Sequence, residues 1–218
     1  MPKIPLRIIL LVAALALLIT GIQYGLLTVA FEKLDLSANS AYLLFVTILA
    51  GSLINLPLFS MKSEPPNLEE IPPPLRELYR NMPYTGKTII MANVGGCVVP
   101  VAFCLYLLAH HPLNIFYVAL AVAAVTVLSF KTSRRLPGLG LGIPILLAPL
   151  LAALVSVALD PDNAPSMAFI SGTLGVLIGA DLLHLQDIRK MGTPFASIGG
   201  AGSFDGIFIS GLVAVLLA

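Results

Sequence analysis

Residues 172–185 read GTLGVLIGADLLHL, an apolar, glycine-rich run interrupted by one carboxylate, Asp181, with His184 three residues later. Residues 199–218, GGAGSFDGIFISGLVAVLLA, carry the same composition around Asp205. A carboxylate in hydrocarbon costs at least about 2.5–3.5 kcal/mol, so an acid inside a membrane-like run marks a functional site. The surrounding chain fits that setting: 58% of its 218 residues are hydrophobic, 11% are charged, and the mean hydropathy is +0.98. Soluble globular domains carry about a quarter charged residues, so the composition is that of a polytopic membrane protein.

Working outward from the two acids, apolar runs near the 20 residues needed to cross a bilayer fall at about 5–30, 41–61, 87–109, 113–130, 139–159, 165–186 and 202–218. The expectation is an all-α fold, one transmembrane domain over residues 1–218 with about seven transmembrane helices. Lys3 and Arg7 precede the first run, which is too long for a secretory signal and lacks a small-x-small cleavage site, so it reads as an uncleaved helix. Eleven of the twelve lysines and arginines then fall on one side, leaving Lys33 alone on the other. By the positive-inside rule the N-terminus is cytoplasmic and the C-terminus outside.

The connector over residues 62–86 holds six of the seventeen prolines and four glutamates, and reads as a cytoplasmic proline-rich loop. Within it, LRELYRNM has the spacing of a short interfacial helix with Leu75, Leu78 and Tyr79 on one face. A net charge of +1 supplies no basic patch for nucleic acid, and no phosphate-binding Gly-Lys-Ser/Thr loop is present. Cys97 and Cys104, as helix neighbours, would stand about 10 Å apart, too far for a disulfide.

The depths of the two acids agree. Asp181 precedes Asp187, at the cytoplasmic boundary, by six residues or about 9 Å of helix. Asp205 has thirteen residues after it, about 20 Å, which leaves it about 10 Å below the same face of a core of about 30 Å. Consecutive antiparallel segments are usually neighbours, so the carboxyls are expected to face one another. Such a pair shares one proton, and it activates water with one acid while the other protonates a peptide carbonyl oxygen. No metal or cofactor is required.

Gly200 and Gly202 precede Asp205, and Gly206 follows it; they permit an irregular backbone where an extended peptide must approach. The spacings Gly202-x-x-x-Gly206 and Gly175-x-x-x-Gly179 equally suit close helix packing. His184 shares nearly the same helix face as Asp181 and is a candidate modulator, the competing reading being a hydrogen-bonded interfacial histidine. His110 and His111 mark the outer boundary beside Pro112. Gln23, Asn55 and Asn93 read as helix-to-helix hydrogen-bonding groups.

On these residues the 181–205 hairpin resembles the catalytic pair of presenilin-type and signal-peptide-peptidase-type intramembrane aspartyl proteases. There one Asp ends the sixth helix and a Gly-x-Gly-Asp motif opens the seventh. Asp181 would be the first acid, and Gly200, Gly202 and Asp205 the second motif, with Ser203 and Phe204 inserted and Ala180 in place of the usual Tyr. The Pro-Ala-Leu motif of those families is absent. IGADLLHL also resembles the Gly-x-Gly-Asp segment of prepilin peptidases, with Ile178 in place of glycine.

The whole chain, most of all GADLLHLQDI and GGAGSFDGIF, is similar to a prokaryotic seven-helix family of uncharacterised membrane proteins. The resemblance implies an intramembrane aspartic endopeptidase of the prokaryotic plasma membrane. Its catalytic residues would be Asp181 and Asp205, supported by Gly179, Gly200, Gly202 and Gly206, and its substrate a transmembrane or signal-peptide-like segment of another protein. The alternative is a proton- or sodium-coupled transporter or channel that binds its ion at the same two acids, with Thr193, Ser203 or backbone carbonyls completing the shell.

Overall fold

The computed structural model describes residues 25–81, 85–136, 140–142, 144, 146–200 and 206–218. The chain is mostly helical, with β-strands at one end of the helices. A helix over residues 25–32 (α1) is followed by α2 (Ala38–Gly51), whose start is capped by Ser37 Oγ accepting from Ser40 N. Strand β1 (Asn55–Lys62), helix α3 (Pro73–Asn81) and strand β2 (Lys87–Asn93) come next. A π-helical turn, Val94–Val98, runs directly into α4 (Val99–His110). The wider turn accommodates Pro100, whose ring would otherwise press on the carbonyl four residues back.

Helix α5 (Ile115–Thr132) starts at Asn114, whose Oδ1 accepts from Phe116 N, and leads to a short hairpin of β3 (Arg134–Leu136) and β4 (Gly140–Gly142). After α6 (Leu147–Leu159), the helical stretch Pro161–Met191 contains α7 (Ala164–Val176), a second π turn (Leu177–Asp181), a 3₁₀ turn (Leu182–His184) and α8 (Leu185–Ile188). Gly192, at φ 65°, ends it in the left-handed conformation that glycine adopts without strain. Strand β5 (Phe195–Ile198) and helix α9 (Gly206–Leu217) complete the described chain.

The strands correct the all-α expectation. β1 pairs antiparallel with β2, and β2 pairs parallel with β5, giving the order β1-β2-β5. Along β2 the inward residues are Thr88, Ile90 and Ala92, a period of two that belongs to a strand. Counting apolar residues over 41–61 and 87–109 merges a helix with a strand in each case, because apolar composition carries no period. The apolar helices within those runs are Ala38–Gly51 and Val94–His110. Of the first expected span, 5–30, residues 5–24 lie outside the described residues.

The proline-rich connector is also more ordered than a solvated loop. Glu64 N donates to Arg189 O, Arg189 Nε donates to Lys62 O, and Pro66 sits against Gly192. Residues 75–81 of the expected interfacial helix are helical, with Tyr79 buried, as is Ile71 just before the helix.

Two helices, Ile115–Thr132 and Pro161–Met191, are long and apolar enough to cross a membrane, which is consistent with membrane association. The packing points the same way. Small side chains fill the helix contacts: Ala121 on α5, Ala152 and Ser156 on α6, Ala168 and Ser171 on α7, and Ala214 on α9 are buried. Large apolar side chains also stand on the surface, among them Leu105, Ile115, Phe116 and Leu154, each at least 60% exposed. Small residues at helix contacts together with large apolar ones on the surface are the pattern of helices that pack in lipid. The larger buried side chains form two clusters. One joins Phe31, Leu34, Leu107, Met167, Phe169 and Phe208, with Phe103 edge-on to Phe169 at 5.1 Å; the other joins Ile90, Val125, Val176, Leu177, Ile198 and Ile207.

Burial pushes the Tyr79 hydroxyl above its usual pKa of 10.0. The folded chain therefore holds that proton after the unfolded chain has released it. Its contribution is complete below about pH 10 and is lost as pH rises through the folded value. Thermal unfolding across pH 9 to 12 should show Tyr79→Phe losing less stability above pH 10 than the parent.

Candidate functional site

Asp181 closes the second π turn at φ −98° and ψ −59°, and the 3₁₀ turn Leu182–His184 begins there. It is half-buried. A π turn followed by a 3₁₀ turn breaks the helical hydrogen-bond ladder beside the acid, a departure found disproportionately at functional sites. His184 is buried, its Nδ1 is 3.0 Å from the Gly179 carbonyl, and its ring lies 4.8 Å from that of Phe130. A carbonyl only accepts, so Nδ1 carries the proton and, in the neutral ring, Nε2 is an acceptor. His184 thus turns back onto the π turn as an internally bonded residue.

Gly179, in the π turn that continues α7, lies against α5. A Cβ there would collide with the Thr126 carbonyl and fall 2.9 Å from Ser129 Cβ and 3.0 Å from Phe130 N. At Gly175 it would stand 2.6 Å from Val125 Cβ. These two glycines therefore serve helix packing. One turn earlier on α7, a Cβ on Gly172 would lie 3.0 Å from Ser210 O and 3.2 Å from Gly211 Cα of α9.

Helix α9 runs antiparallel to α7. Ile207 shares a cluster with Val176 and Leu177, while at the far end Lys33 Nζ lies 3.4 Å from the carbonyls of Val215 and Leu216. That lysine neutralises the negative end of the α9 dipole. From the Gly172–Gly211 contact, Leu177 lies five residues along α7 and Gly206 five residues back along α9, about 7.5 Å in each case. The exposed Gly206, first residue of α9, is thus about level with the start of the π turn that ends at Asp181.

The approach to α9 is anchored from the other side. Gly199 has φ 72°, and a Cβ there would fall 2.7 Å from Gly96 C and 2.8 Å from Cys97 N and Cβ. Gly200 N donates to Ser197 O at 3.2 Å, and a Cβ on Gly200 would strike the Ser197 side chain. Gly202 and Asp205 lie outside the described residues. Among the described residues no group of three His, Cys, Asp or Glu side chains is placed to hold a metal ion. Cys97 and Cys104 are not joined in a disulfide.

Residues 49–217 match the family model described as "Protein of unknown function (DUF1614)". The chain belongs to that family. No curated protein and no solved structure matches it. The DUF1614 match begins near the end of α2 and takes in the whole sheet, both π turns and α9.

One polar node inside the DUF1614 region was misread from sequence. Asn55 and Asn93 are cross-strand partners and not helix-to-helix links. Asn93 Oδ1 accepts from Gly96 N at 2.8 Å, and its Nδ2 donates to Ser52 O at 2.7 Å and to Asn55 Oδ1 at 3.1 Å. Ser197 Oγ donates to the same Asn55 oxygen at 2.5 Å. The node ties α2, β1, β2, the first π turn and β5 together just ahead of Gly199. Its sequence signal is Asn93-Val94-Gly95-Gly96, an Asn one residue ahead of two glycines, the composition of a cap and turn.

Gly179→Val should lower the thermal stability of the detergent-solubilised protein by about 1–3 kcal/mol, the usual cost of overpacking, with Ala123→Val on the outer face of α5 within about 0.5 kcal/mol of the parent. Asn93→Ala strands the Gly96 N–H and the Ser52 carbonyl and should cost about 1–3 kcal/mol per unpaired group, read by the same unfolding assay.

Proposed function

We propose that the protein is an integral membrane protein of the prokaryotic plasma membrane, crossing it about seven times with the sheet on the cytoplasmic side. In this reading Asp181 and Asp205 form an aspartyl dyad that hydrolyses peptide bonds in transmembrane or signal-peptide-like segments of other proteins. The observation that carries it is the antiparallel register of α7 and α9, in which the first residue of α9 is level with the π turn of Asp181.

Two further features suit the chemistry. Water must reach the scissile carbonyl: one carboxylate takes its proton as the oxygen attacks, and the other carboxyl protonates the carbonyl oxygen; collapse of the adduct then releases a carboxylate and an amine. The substrate backbone must be extended for this, and β5 is an edge strand of the sheet, running directly before the turn at Gly199. An edge strand offers unpaired N–H and C=O groups to an added peptide strand. The sheet belongs at the membrane interface, since open edges are excluded from hydrocarbon.

The ion-coupled carrier is the second reading, favoured by the buried hydroxyls of Ser156 and Ser210 on α6 and α9, which have no hydrogen-bond partner among the described residues. Purified protein incubated with a panel of single-span substrates separates the two. The protease reading expects cleavage that falls at least about 100-fold in both Asp181→Asn and Asp205→Asn. Cleavage that persists unchanged in the variants excludes the dyad, and thermal stabilisation by sodium without cleavage favours the carrier.

A further inference from the structure

Strand β2 sorts its side chains by face. Thr88, Ile90 and Ala92 point into the protein, where Ile90 and Ile198 join one of the buried clusters, so Lys87, Ile89 and Met91 make up the other face. Cross-strand partners share a face, and the register sets Lys62 of β1 opposite Lys87, and Phe195 of β5 opposite Ile89. Phe195 is 58% exposed and Ile89 36%, and Leu58, at the bulge in β1, is 56% exposed. The outer face of the sheet is thus apolar around Ile89 and Phe195 and cationic at the strand ends.

The cations converge there from three segments. Lys62 and Lys87 close the β1–β2 ladder side by side, and Arg189 Nε donates to Lys62 O at 3.1 Å, which brings a guanidinium to the same corner. All three residues are exposed, and among the described residues none of them pairs with a carboxylate, Glu64 included. Like charges directly opposite one another on a sheet are destabilising, and an anion held beside them removes that cost. At their other ends β1 adjoins α2, and β2 runs into the first π turn and α4, which belong to the apolar helices Ala38–Gly51 and Val94–His110. Away from those helices the outer face passes from Met91 through Ile89 and Phe195 to the lysines, the last step covering about 7 Å. A bilayer leaflet changes from hydrocarbon to phosphate in the same order and over a comparable depth, about 5–10 Å at the headgroup boundary.

We infer that this outer face binds an anionic phospholipid of the cytoplasmic leaflet. Its phosphate sits among Lys62, Lys87 and Arg189, and its acyl chains lie against Ile89 and Phe195. Free phosphate would satisfy the cations and leave the two large side chains in water, whereas a zwitterionic lipid would cover the apolar strip and bring no net charge to the lysines. The inference rests on the membrane reading proposed above and on neither role proposed for Asp181 and Asp205. The bound lipid holds β5 at a fixed depth, and β5 leads directly into the turn at Gly199.

The chain contains no tryptophan, so Phe195→Trp supplies a single fluorescent reporter in the full-length protein. It is reconstituted in equimolar phosphatidylglycerol and phosphatidylcholine vesicles, with brominated acyl chains on one lipid or on the other. Brominated phosphatidylglycerol should quench Phe195→Trp at least about twice as strongly as brominated phosphatidylcholine, and adding Lys62→Gln and Lys87→Gln should equalise the two. Leu154→Trp, on the exposed side of α6, tests the membrane setting by itself. Quenching of Leu154→Trp without quenching of Phe195→Trp leaves the sheet face in water, and the inference falls while the membrane reading stands. Failure to quench either reporter removes the membrane reading and the inference with it. Equal quenching of Phe195→Trp by the two lipids overturns the inference, as does a preference for phosphatidylglycerol that survives both lysine substitutions.

Discussion

Backbone contact between helices, at positions where only glycine fits, is the constraint on which the rest of the structure depends. Helix α7 presents Gly175 and Gly179 to α5 and Gly172 to α9, and a methyl group at any of these three would press into a neighbouring helix. Close approach at small residues lets dispersion between the backbones add to the contacts of the two buried apolar clusters. The same contacts set the axial register of α7, α5 and α9. They therefore decide what stands beside Asp181.

The second constraint acts at the sheet. Helix α2 ends where Gly51 meets Gly95, the first π turn is capped by Asn93, and Gly199 docks on Gly96 and Cys97. A parallel strand pair demands a long crossover, and here everything from the first π turn to Gly192 forms it. The chain entering residues 201–205 is held through hydrogen bonds between strands distant in sequence, while the chain carrying Asp181 is held by helix packing. The two π turns sit where these systems meet, Val94–Val98 beside the Gly199 turn and Leu177–Asp181 at the level of the start of α9.

Much of this was legible in the sequence because membrane-like composition is so one-sided. The apolar run over 165–186 lies within the helical stretch Pro161–Met191, the run over 113–130 overlaps the helix Ile115–Thr132, and the glycine spacing at 175 and 179 is the spacing of a packing seam. The sheet was not legible. Residues 55–62 and 87–93 are apolar enough to join the neighbouring helices into span-length runs, and only pairing with β5, more than a hundred residues away, stabilises β2 as the central strand. Asn55, Asn93 and Ser197 were illegible as a unit for the same reason, since the register that brings them together is long-range.

By itself the sequence determined the apolar, mostly helical character of the chain, the two acids in glycine-rich runs, and the sites where only small residues let helices meet. Those properties follow from composition and local spacing. The tertiary structure alone decided that the runs over 41–61, 87–109 and 139–159 divide into helix and strand, that His184 bonds to Gly179 beside Phe130, and that Thr126 and Ser129 of α5 lie against the π turn at Gly179. Each of these depends on which distant backbone lies alongside, which is a matter of packing geometry that no local pattern encodes.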